Sequence, residues 1–185
     1  MSSGDVLRSI DIVSYHPRYR EAFRQLNLAW LEAYQLLEPA DLVPLEDPET
    51  HILAGGGQVF FALDGENPVG ACAAIRWSGN TFELAKLAVD PASRGRGLGR
   101  RLSERVIEFA RQAGAQEIYL TSNHVLAAAI RLYESLGFRH ETMPADVRYR
   151  TADVYMVLRL TEVRLASADV APVLPNRSQQ SQTIG

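Results

Sequence analysis

The sequence predicts an α/β (α+β) fold: a mixed, mostly antiparallel sheet of six to seven strands with helices on both faces. Three observations predict it. Strand-like and helix-like segments alternate along most of the chain. Near the middle, three strand segments follow one another with only turns between them, which favours antiparallel order. The last of these is followed by a helix and another strand, so the fourth and fifth strands are expected to be parallel.

The composition limits the domain organisation. The chain has 185 residues, of which 46% are hydrophobic and 22% are charged. It is therefore long enough for one domain with a full core and short for two. We expect that single domain to cover residues 1–165. Residues 166–185 are rich in serine and glutamine and lack core-forming residues, so we expect a disordered tail.

Charge and cysteine content exclude several classes. The net charge of −3 argues against a dedicated nucleic-acid binder. Cys72 is the single cysteine, and the four histidines lack metal-ligand spacing, so we expect neither a disulfide nor a bound metal. No window approaches the roughly 18 apolar residues of a membrane span, and the start lacks a signal peptide's apolar stretch. We expect a cytoplasmic protein with no membrane partner.

The first third of the chain predicts a strand, a helix and an acidic connection. Residues 9–15 alternate in the manner of a strand, and Pro17 stands where a first helical turn would begin. Apolar residues at three- and four-residue steps then predict a helix from Arg18 to Leu37, namely Phe23, Leu26, Ala29, Trp30, Ala33 and Leu37. Three prolines mark an acidic connection after it. A short helix is expected over residues 48–54.

The rest of the chain predicts five strands and two helices. Residues 59–63 and 69–77 form a hairpin around a turn at 64–67, and a third strand covers 81–90. An apolar stripe from Leu98 predicts a helix that ends at Gly114. A strand at 117–121, a helix at 126–136 and a last strand at 154–160 complete the pattern.

The stretch "RGRGLGR", which lies between the third of these strands and its helix, is the strongest local signal. A loop that enters a helix presents unpaired backbone N–H groups, and the helix dipole favours anions there. Glycines allow close approach of a ligand, and arginines suit phosphate oxygens. The segment therefore predicts a phosphate chain as ligand, bound by Arg94, Gly95, Arg96, Gly97, Leu98, Gly99 and Arg100. A solvated turn and an RNA-binding patch are the alternatives.

Spacing selects among the known phosphate loops. A P-loop needs a lysine after its last glycine, and none follows Gly99. The dinucleotide fingerprint needs a glycine at its sixth position, which here is Arg100. Arg94-x-x-Gly97-x-Gly99, preceded by "ELAKLAV", resembles the acetyl-CoA signature of the GNAT superfamily of N-acetyltransferases. Asn123 and "AIRLYESLGF" follow in the family's order, and the resemblance runs from about Ile10 to Leu160.

The resemblance implies a function. The chain would move the acetyl group of acetyl-CoA, its cosubstrate, directly to a primary amine, with no metal and no nucleic acid. A coenzyme A sensor without turnover is the alternative. Backbone amides of a distorted strand would hold the acetyl-pantetheine arm where the fourth and fifth strands splay, at Leu87, Ala88 and Val89, and Asn123 would contact the coenzyme. The resemblance also implies that the chain can form a homodimer.

Two residues carry the implied chemistry. Glu83 matches the position of a catalytic glutamate in some relatives and would take the proton of the amine, although a solvated strand residue is an equal interpretation. Tyr133 lies on an apolar helical stripe, which core packing explains, but the resemblance places its hydroxyl near the coenzyme sulfur as a proton donor. Asn123 could instead be a helix-start residue. Cys72 is interpreted as a packing residue.

The acceptor amine is left open by the sequence. The acidic connection at 36–50 would steer a cationic amine or would simply be a solvated loop. Trp30, Tyr34 and Trp77 would line the acceptor pocket or fill the core. Small polyamines, amino acids, antibiotics and protein amines all fit this pattern.

Overall fold

The structure is a computed structural model that describes residues 9–77 and 79–160; the tail predicted at 166–185 lies outside them. It contains one seven-stranded sheet with the order β1-β2-β3-β4-β5-β7-β6. Among the strands of the described residues, only β4 and β5 are parallel neighbours. The strands are β1 (Ile10–Ser14), β2 (Gln58–Asp64), β3 (Asn67–Arg76), β4 (Thr81–Val89), β5 (Glu117–Ser122), β6 (Arg139–His140) and β7 (Val154–Arg159). The predicted mixed, mostly antiparallel sheet is confirmed.

Four α-helices accompany this sheet in the described residues. They are α1 (Arg20–Ala33), α2 (Pro39–Glu46), α3 (Leu98–Gln112) and α4 (Ala127–Ser135). Short 3₁₀ turns at Pro17–Tyr19 and Pro91–Ser93 precede α1 and α3, and a π-helical turn forms at Glu49–Leu53. No helix within residues 9–77 and 79–160 is long and apolar enough to cross a membrane.

The prediction for the first helix is wrong about the residue at which the helix ends and partly wrong about which side chains it buries. The helix was expected to reach Leu37, but α1 ends at Ala33 because Gln35 adopts a left-handed φ of 57° and the Leu36 N–H bonds to the Leu31 carbonyl at 2.8 Å. The buried side chains are Phe23, Asn27, Leu28 and Leu31. Asn27 can be buried because its amide donates to the Phe23 carbonyl at 2.9 Å.

Two elements were not predicted. Helix α2 occupies part of the acidic connection, where Pro39 stands in its first turn and the Asp41 carboxylate accepts the Glu38 N–H at 2.9 Å. Proline-rich composition suggested a loop, although proline at a helix start is favourable. Strand β6 has only two residues, so no periodic pattern could reveal it.

The core has two layers, one on each face of the sheet. Alternate residues of β2 point to opposite sides: Phe60 packs in the cluster under α3, and Phe61 packs in the cluster under α1. Phe82 of β4 belongs to the α3 layer. Because both faces are covered by helices, the central strands are buried on both sides, as the sequence predicted.

Strands β4 and β5 diverge, and this opens the sheet. Their parallel pairing stops at Glu83 and Tyr119. Three residues farther along β4, Lys86 adopts a left-handed φ of 55°, and the register against β3 shifts at the same place because Ala71 pairs with Ala88 while Ala73 pairs with Ala85. This is a β-bulge, which bends the strand away from its neighbour. The predicted splay of the two parallel strands is therefore present.

Candidate active site

A cleft of about 380 Å³ fills the space between the diverging strands. Its walls come from β4, from the segment after β5, from α4 and from α1. Predicted site residues that line it are Glu83, Leu87, Ala88, Val89, Arg94, Asn123 and Tyr133. The remaining predicted residues, 95–100, lie in the loop and the first turn of α3. The structure thus brings residues from four separate segments to one cavity.

The loop before α3 presents free backbone donors. The Arg94 N–H bonds to the Pro91 carbonyl at 3.3 Å, and the first helical bond runs from the Arg101 N–H to the Gly97 carbonyl at 3.1 Å. Between them, the amides of residues 95–100 have no acceptor among the described residues. These donors stand at the positive end of a 15-residue helix. The arrangement is suited to an anion such as a diphosphate.

Two glycines of this loop are needed for different reasons. Gly97 caps α3 with a left-handed φ of 73°, a conformation that other residues adopt at a cost. Gly99 is helical, but an added Cβ would stand 3.3 Å from Cδ2 of Leu132. Helix α4 therefore approaches the start of α3 closely. Gly97 is therefore required by its backbone conformation, and Gly99 by the close packing of α4 against α3.

The three arginines of the loop have different environments. Arg94 lines the cleft, and its Nε is 3.4 Å from the Val89 carbonyl. Arg96 pairs with Asp64 at 2.9 Å, and Arg100 donates to the Ser135 hydroxyl at 2.6 Å. Phosphate binding by Arg96 and Arg100 stays a prediction, and it requires each to exchange its present partner for phosphate.

Glu83 is buried, so its interpretation as a solvated strand residue is wrong. It is only 5% exposed, and the Tyr119 hydroxyl donates to its Oε2 at 3.4 Å. Burial raises the pKa of Glu83 above its ordinary value, and the positive charges of Lys86 and Arg148 oppose that shift only in part. The raised pKa makes the Glu83 carboxylate a stronger base than that of an exposed glutamate.

Tyr133 is also buried, and no described residue forms a hydrogen bond with its hydroxyl. Burial raises the pKa of this phenol, and the nearby Cys72 raises it further. The phenol therefore stays protonated at neutral pH and can donate. Cys72 is fully buried in the core under α3, and burial also raises the pKa of its thiol, which agrees with a packing role.

Both polar atoms of the Asn123 side-chain amide form hydrogen bonds within the protein. Its Nδ2 donates to the Thr151 carbonyl at 2.6 Å, and its Oδ1 accepts the Val125 N–H at 3.0 Å. These bonds shape the turn between β5 and α4, which supports the helix-start interpretation. Contact with a coenzyme stays a prediction for this residue.

A buried ion pair at the bulge was missed by the sequence analysis. The Lys86 ammonium bonds to the Asp41 carboxylate of α2, lies 3.2 Å from the Tyr149 hydroxyl and stands 4.9 Å from that ring's centre. All three residues line the cleft. The pair joins α2 to the bulged strand. A lysine within the apolar strand pattern "FELAKLAV" was the available signal.

We expect Asp41→Asn to destabilise the protein by about 3 kcal/mol, because it leaves the Lys86 charge buried without a counter-charge. The two side chains are only 5% and 6% exposed, so water cannot compensate. Asparagine keeps an oxygen that can accept the Glu38 N–H, so the helix start is preserved. Urea unfolding measures the change. Glu46→Gln on the same helix is the control, expected within about 0.5 kcal/mol of the parent; equal stability of the two variants would contradict the role of the pair.

The acidic connection is occupied by internal contacts. Glu38 accepts the Thr151 N–H and hydroxyl, both at 2.8 Å, Asp47 accepts the Thr50 N–H at 3.1 Å, and Glu49 pairs with Arg20 at 2.7 Å. Glu49 is neutralised by Arg20, whereas Glu38 and Asp47 accept hydrogen bonds from neutral donors and keep their negative charge, so steering of a cationic amine by this segment stays a prediction. The segment is a structural part of the cleft wall rather than a solvated loop.

The predicted aromatic residues separate into two cavities. Trp30 and Tyr34 line the cleft, whereas Trp77 lines a second pocket of about 270 Å³. This second pocket is formed by Trp77, Thr81, Glu83, Glu117, Tyr119, Thr121, Pro144, Asp146, Val147, Arg148, Tyr149 and Tyr155. Glu83, Thr121 and Tyr149 line both cavities. The two cavities therefore meet at Glu83.

The fold and the cleft define an α/β protein whose parallel strands diverge beside a helix start with free backbone N–H groups. The chain belongs to the GNAT family of acetyltransferases, since the family model described as "Acetyltransferase (GNAT) family" matches residues 19–138. The resemblance found in the sequence is confirmed.

Relatives in sequence and structure agree with this assignment. N-acetylaspartate synthetase of Rattus norvegicus is 38% identical over 120 residues, which are 63% of this chain and 38% of that protein. The enzyme of the same name from Danio rerio is 31% identical over 150 residues, 77% of this chain and 51% of that protein. The chain thus spans about half or less of these relatives.

Solved structures share the fold. A GNAT-family acetyltransferase from Staphylococcus aureus superposes with a TM-score of 0.75 and 25% identity, over 83% of this chain and all of that one (100%). The protein yncA from Salmonella typhimurium, solved with its cofactor acetyl-CoA, has a TM-score of 0.65 and 23% identity over 92% of this chain and 99% of its own.

Proposed function

We propose that this protein transfers the acetyl group of acetyl-CoA directly to a primary amine. The observation that carries the proposal is the row of amides at residues 95–100, which have no acceptor in the described part of the chain, beside a cleft that contains buried Glu83 and Tyr133. Membership of the GNAT family supports it. Acetyl transfer from a phosphorylated thioester to an amine requires one group that accepts a proton, one group that donates a proton and a site that binds the phosphate anion.

The residues present fit coenzyme A. The free N–H groups of residues 95–100 and the helix dipole of α3 would hold the diphosphate. On the side of β5, β4 has no ladder pair beyond Glu83, so the backbone of Leu87 and Val89 is available to an extended, amide-containing arm. When bound, acetyl-CoA supplies the acetyl group as an activated thioester.

Glu83 would accept the proton of the acceptor. A primary amine with a pKa near 10.4, the value for lysine, is mostly an ammonium ion at neutral pH and is not a nucleophile until it loses a proton. The raised pKa of Glu83 brings its basicity closer to this task. Its place where the cleft and the second pocket meet lets an amine reach it from the side opposite the coenzyme.

Tyr133 would return a proton to the leaving sulfur. Its hydroxyl has no partner among the described residues, and its raised pKa keeps the proton in place until a thiolate forms nearby. Transfer is therefore direct, with both substrates bound together. Cys72 takes no part, because it is buried and its thiol pKa is raised.

Thiol release from acetyl-CoA over a panel of amines tests the proposal. We expect amine-dependent release, and a fall in kcat of about 10² to 10⁴ in Tyr133→Phe, since one proton-transfer group is lost. The ring stays in place, so affinity for coenzyme A is expected to be unchanged by calorimetry. Aspartate belongs in the panel because of the name of the rat and zebrafish relatives. Coenzyme binding without turnover of any amine would favour a sensor instead.

A further inference from the structure

The second pocket is placed to contact the part of the acceptor that does not react. It shares Glu83 with the cleft but extends along the face of β5 that carries Glu117, Tyr119 and Thr121. These residues alternate with Ile118 and Leu120, which are buried in the core. The outward face of β5 therefore faces a cavity and not the core.

Aromatic rings form one wall of this pocket. The Tyr119 ring lies 6.4 Å from the Trp77 ring at 86° and 5.7 Å from the Tyr155 ring at 31°. Trp77 is 53% exposed, although it is one of the largest apolar side chains of the protein. All three aromatic residues line the cavity, and aromatic ring faces attract cations.

Carboxylates outnumber cations around these rings. Among the described residues, the carboxylates of Glu117 and Asp146 form neither an ion pair nor a hydrogen bond, and Glu83 is the third carboxyl of the pocket. Arg148 is the one cationic side chain in the lining. Arg159, which lies opposite Glu117 across the β5–β7 ladder, is bound to Glu141.

The local field is negative as a result. The pKa of Tyr155 is raised by burial first and then by carboxylates that include Glu117, Glu141 and Asp146. Arg148 acts at the other end of the pocket. Its positive charge lowers the pKa values of Glu83 and Tyr119 and so opposes the larger effect of burial. The end of the pocket around Glu117 and Trp77 is therefore the place for a positive charge.

We propose that the second pocket binds a cationic group of the acceptor, so that the preferred acceptor is a primary amine with a second positive charge, such as a diamine. This inference rests on the proposed acetyl transfer at Glu83. Glu83 pairs with Tyr119 across the strands, and Glu117 is two residues earlier on β5, roughly 7 Å away along the strand. That distance is comparable to the separation of the two nitrogens in 1,4-diaminobutane.

The test compares two amines of equal length, 1,4-diaminobutane and n-pentylamine, which differ only in an ammonium or a methyl group at the far end. We expect kcat/KM to be about tenfold or more higher for the diamine, the size of one good cation–π and carboxylate contact. Added salt is expected to reduce the ratio. A ratio near one, or a preference for aspartate over both, would overturn the proposal.

Substitutions in the second pocket test which residues bind the far ammonium group of the diamine. Glu117→Gln and Trp77→Leu are expected to lower kcat/KM for 1,4-diaminobutane by about tenfold and to bring the diamine-to-monoamine ratio close to one, since each removes a contact to the far ammonium. Glu66→Gln, at the exposed β2–β3 turn, changes a carboxylate far from the pocket and is the matched control. Coenzyme A affinity, measured by calorimetry, reports whether each variant is folded.

Direct binding separates this inference from the proposed function. Calorimetry of the two amines, with coenzyme A present and without turnover, is expected to give an affinity about tenfold higher for the diamine. Coenzyme binding with equal amine affinities would refute only the diamine preference. Absence of coenzyme binding would refute the proposed function, whichever amine binds.

Discussion

Gly97→Asp is expected to lower affinity for coenzyme A by about 100-fold or more, with the fold retained. Gly97 has a φ of 73°, and no atom lies within 4 Å of an added Cβ, so the side chain has room. Its carboxylate would stand among the amides of residues 95–100, where the diphosphate is proposed to bind. Two like charges about 5 Å apart near a protein surface repel by roughly 3 kcal/mol. A free-energy change of this size corresponds to a loss of affinity of about 100-fold. Calorimetry with coenzyme A measures it.

Two controls separate charge from backbone strain. Gly97→Asn imposes the same left-handed conformation with nearly the same volume but without the charge, and we expect a loss below about tenfold. Gly114→Asp places the same charge at a glycine with a φ of 79° at the opposite end of α3. Its coenzyme affinity is expected to equal that of the parent. Unchanged affinity in Gly97→Asp would place the phosphates elsewhere.

Glu83→Gln is expected to lower kcat by about 10² to 10⁴, because the group proposed to take the amine proton is removed. Glutamine keeps the size of the side chain and an oxygen that can accept from Tyr119. In the parent, the rate is expected to rise with pH through the raised pKa of Glu83, since only the ionised carboxylate is a base. The variant is expected to lack this acidic limb. An unchanged profile would mean that water or another group takes the proton.

The same substitution is expected to stabilise the fold at neutral pH. A carboxyl whose pKa is raised by folding binds its proton more tightly in the folded state. The contribution of Glu83 to the free energy of unfolding is favourable below its pKa in the unfolded state and is lost as pH rises through its pKa in the folded state. Ionised Glu83 therefore destabilises the fold at pH 7. Thermal unfolding of Glu83→Gln therefore distinguishes loss of chemistry from loss of structure. Glu66→Gln, an exposed carboxylate, is expected to change neither rate nor stability.

Much of the candidate site could be predicted from its local sequence. The loop at 94–100 combines glycines, arginines and a helix start within a few residues, so chain connectivity alone brings its donors together. Glu83 and Tyr133 were predicted only through the family resemblance. Their burial could not be deduced, because alternation in β4 leaves open whether the polar face meets water or a cavity.

The sequence by itself determined the order of the elements other than α2 and β6, and the parallel pair β4 and β5, because these depend on local periodicity, turn residues or the handedness of a crossover. Only the tertiary structure decided which distant side chains share the cleft. The Lys86–Asp41 pair joins residues 45 positions apart, and the second pocket combines three strands with the segment before β7. Such contacts depend on packing between segments far apart in the chain, and no local pattern in the sequence records them.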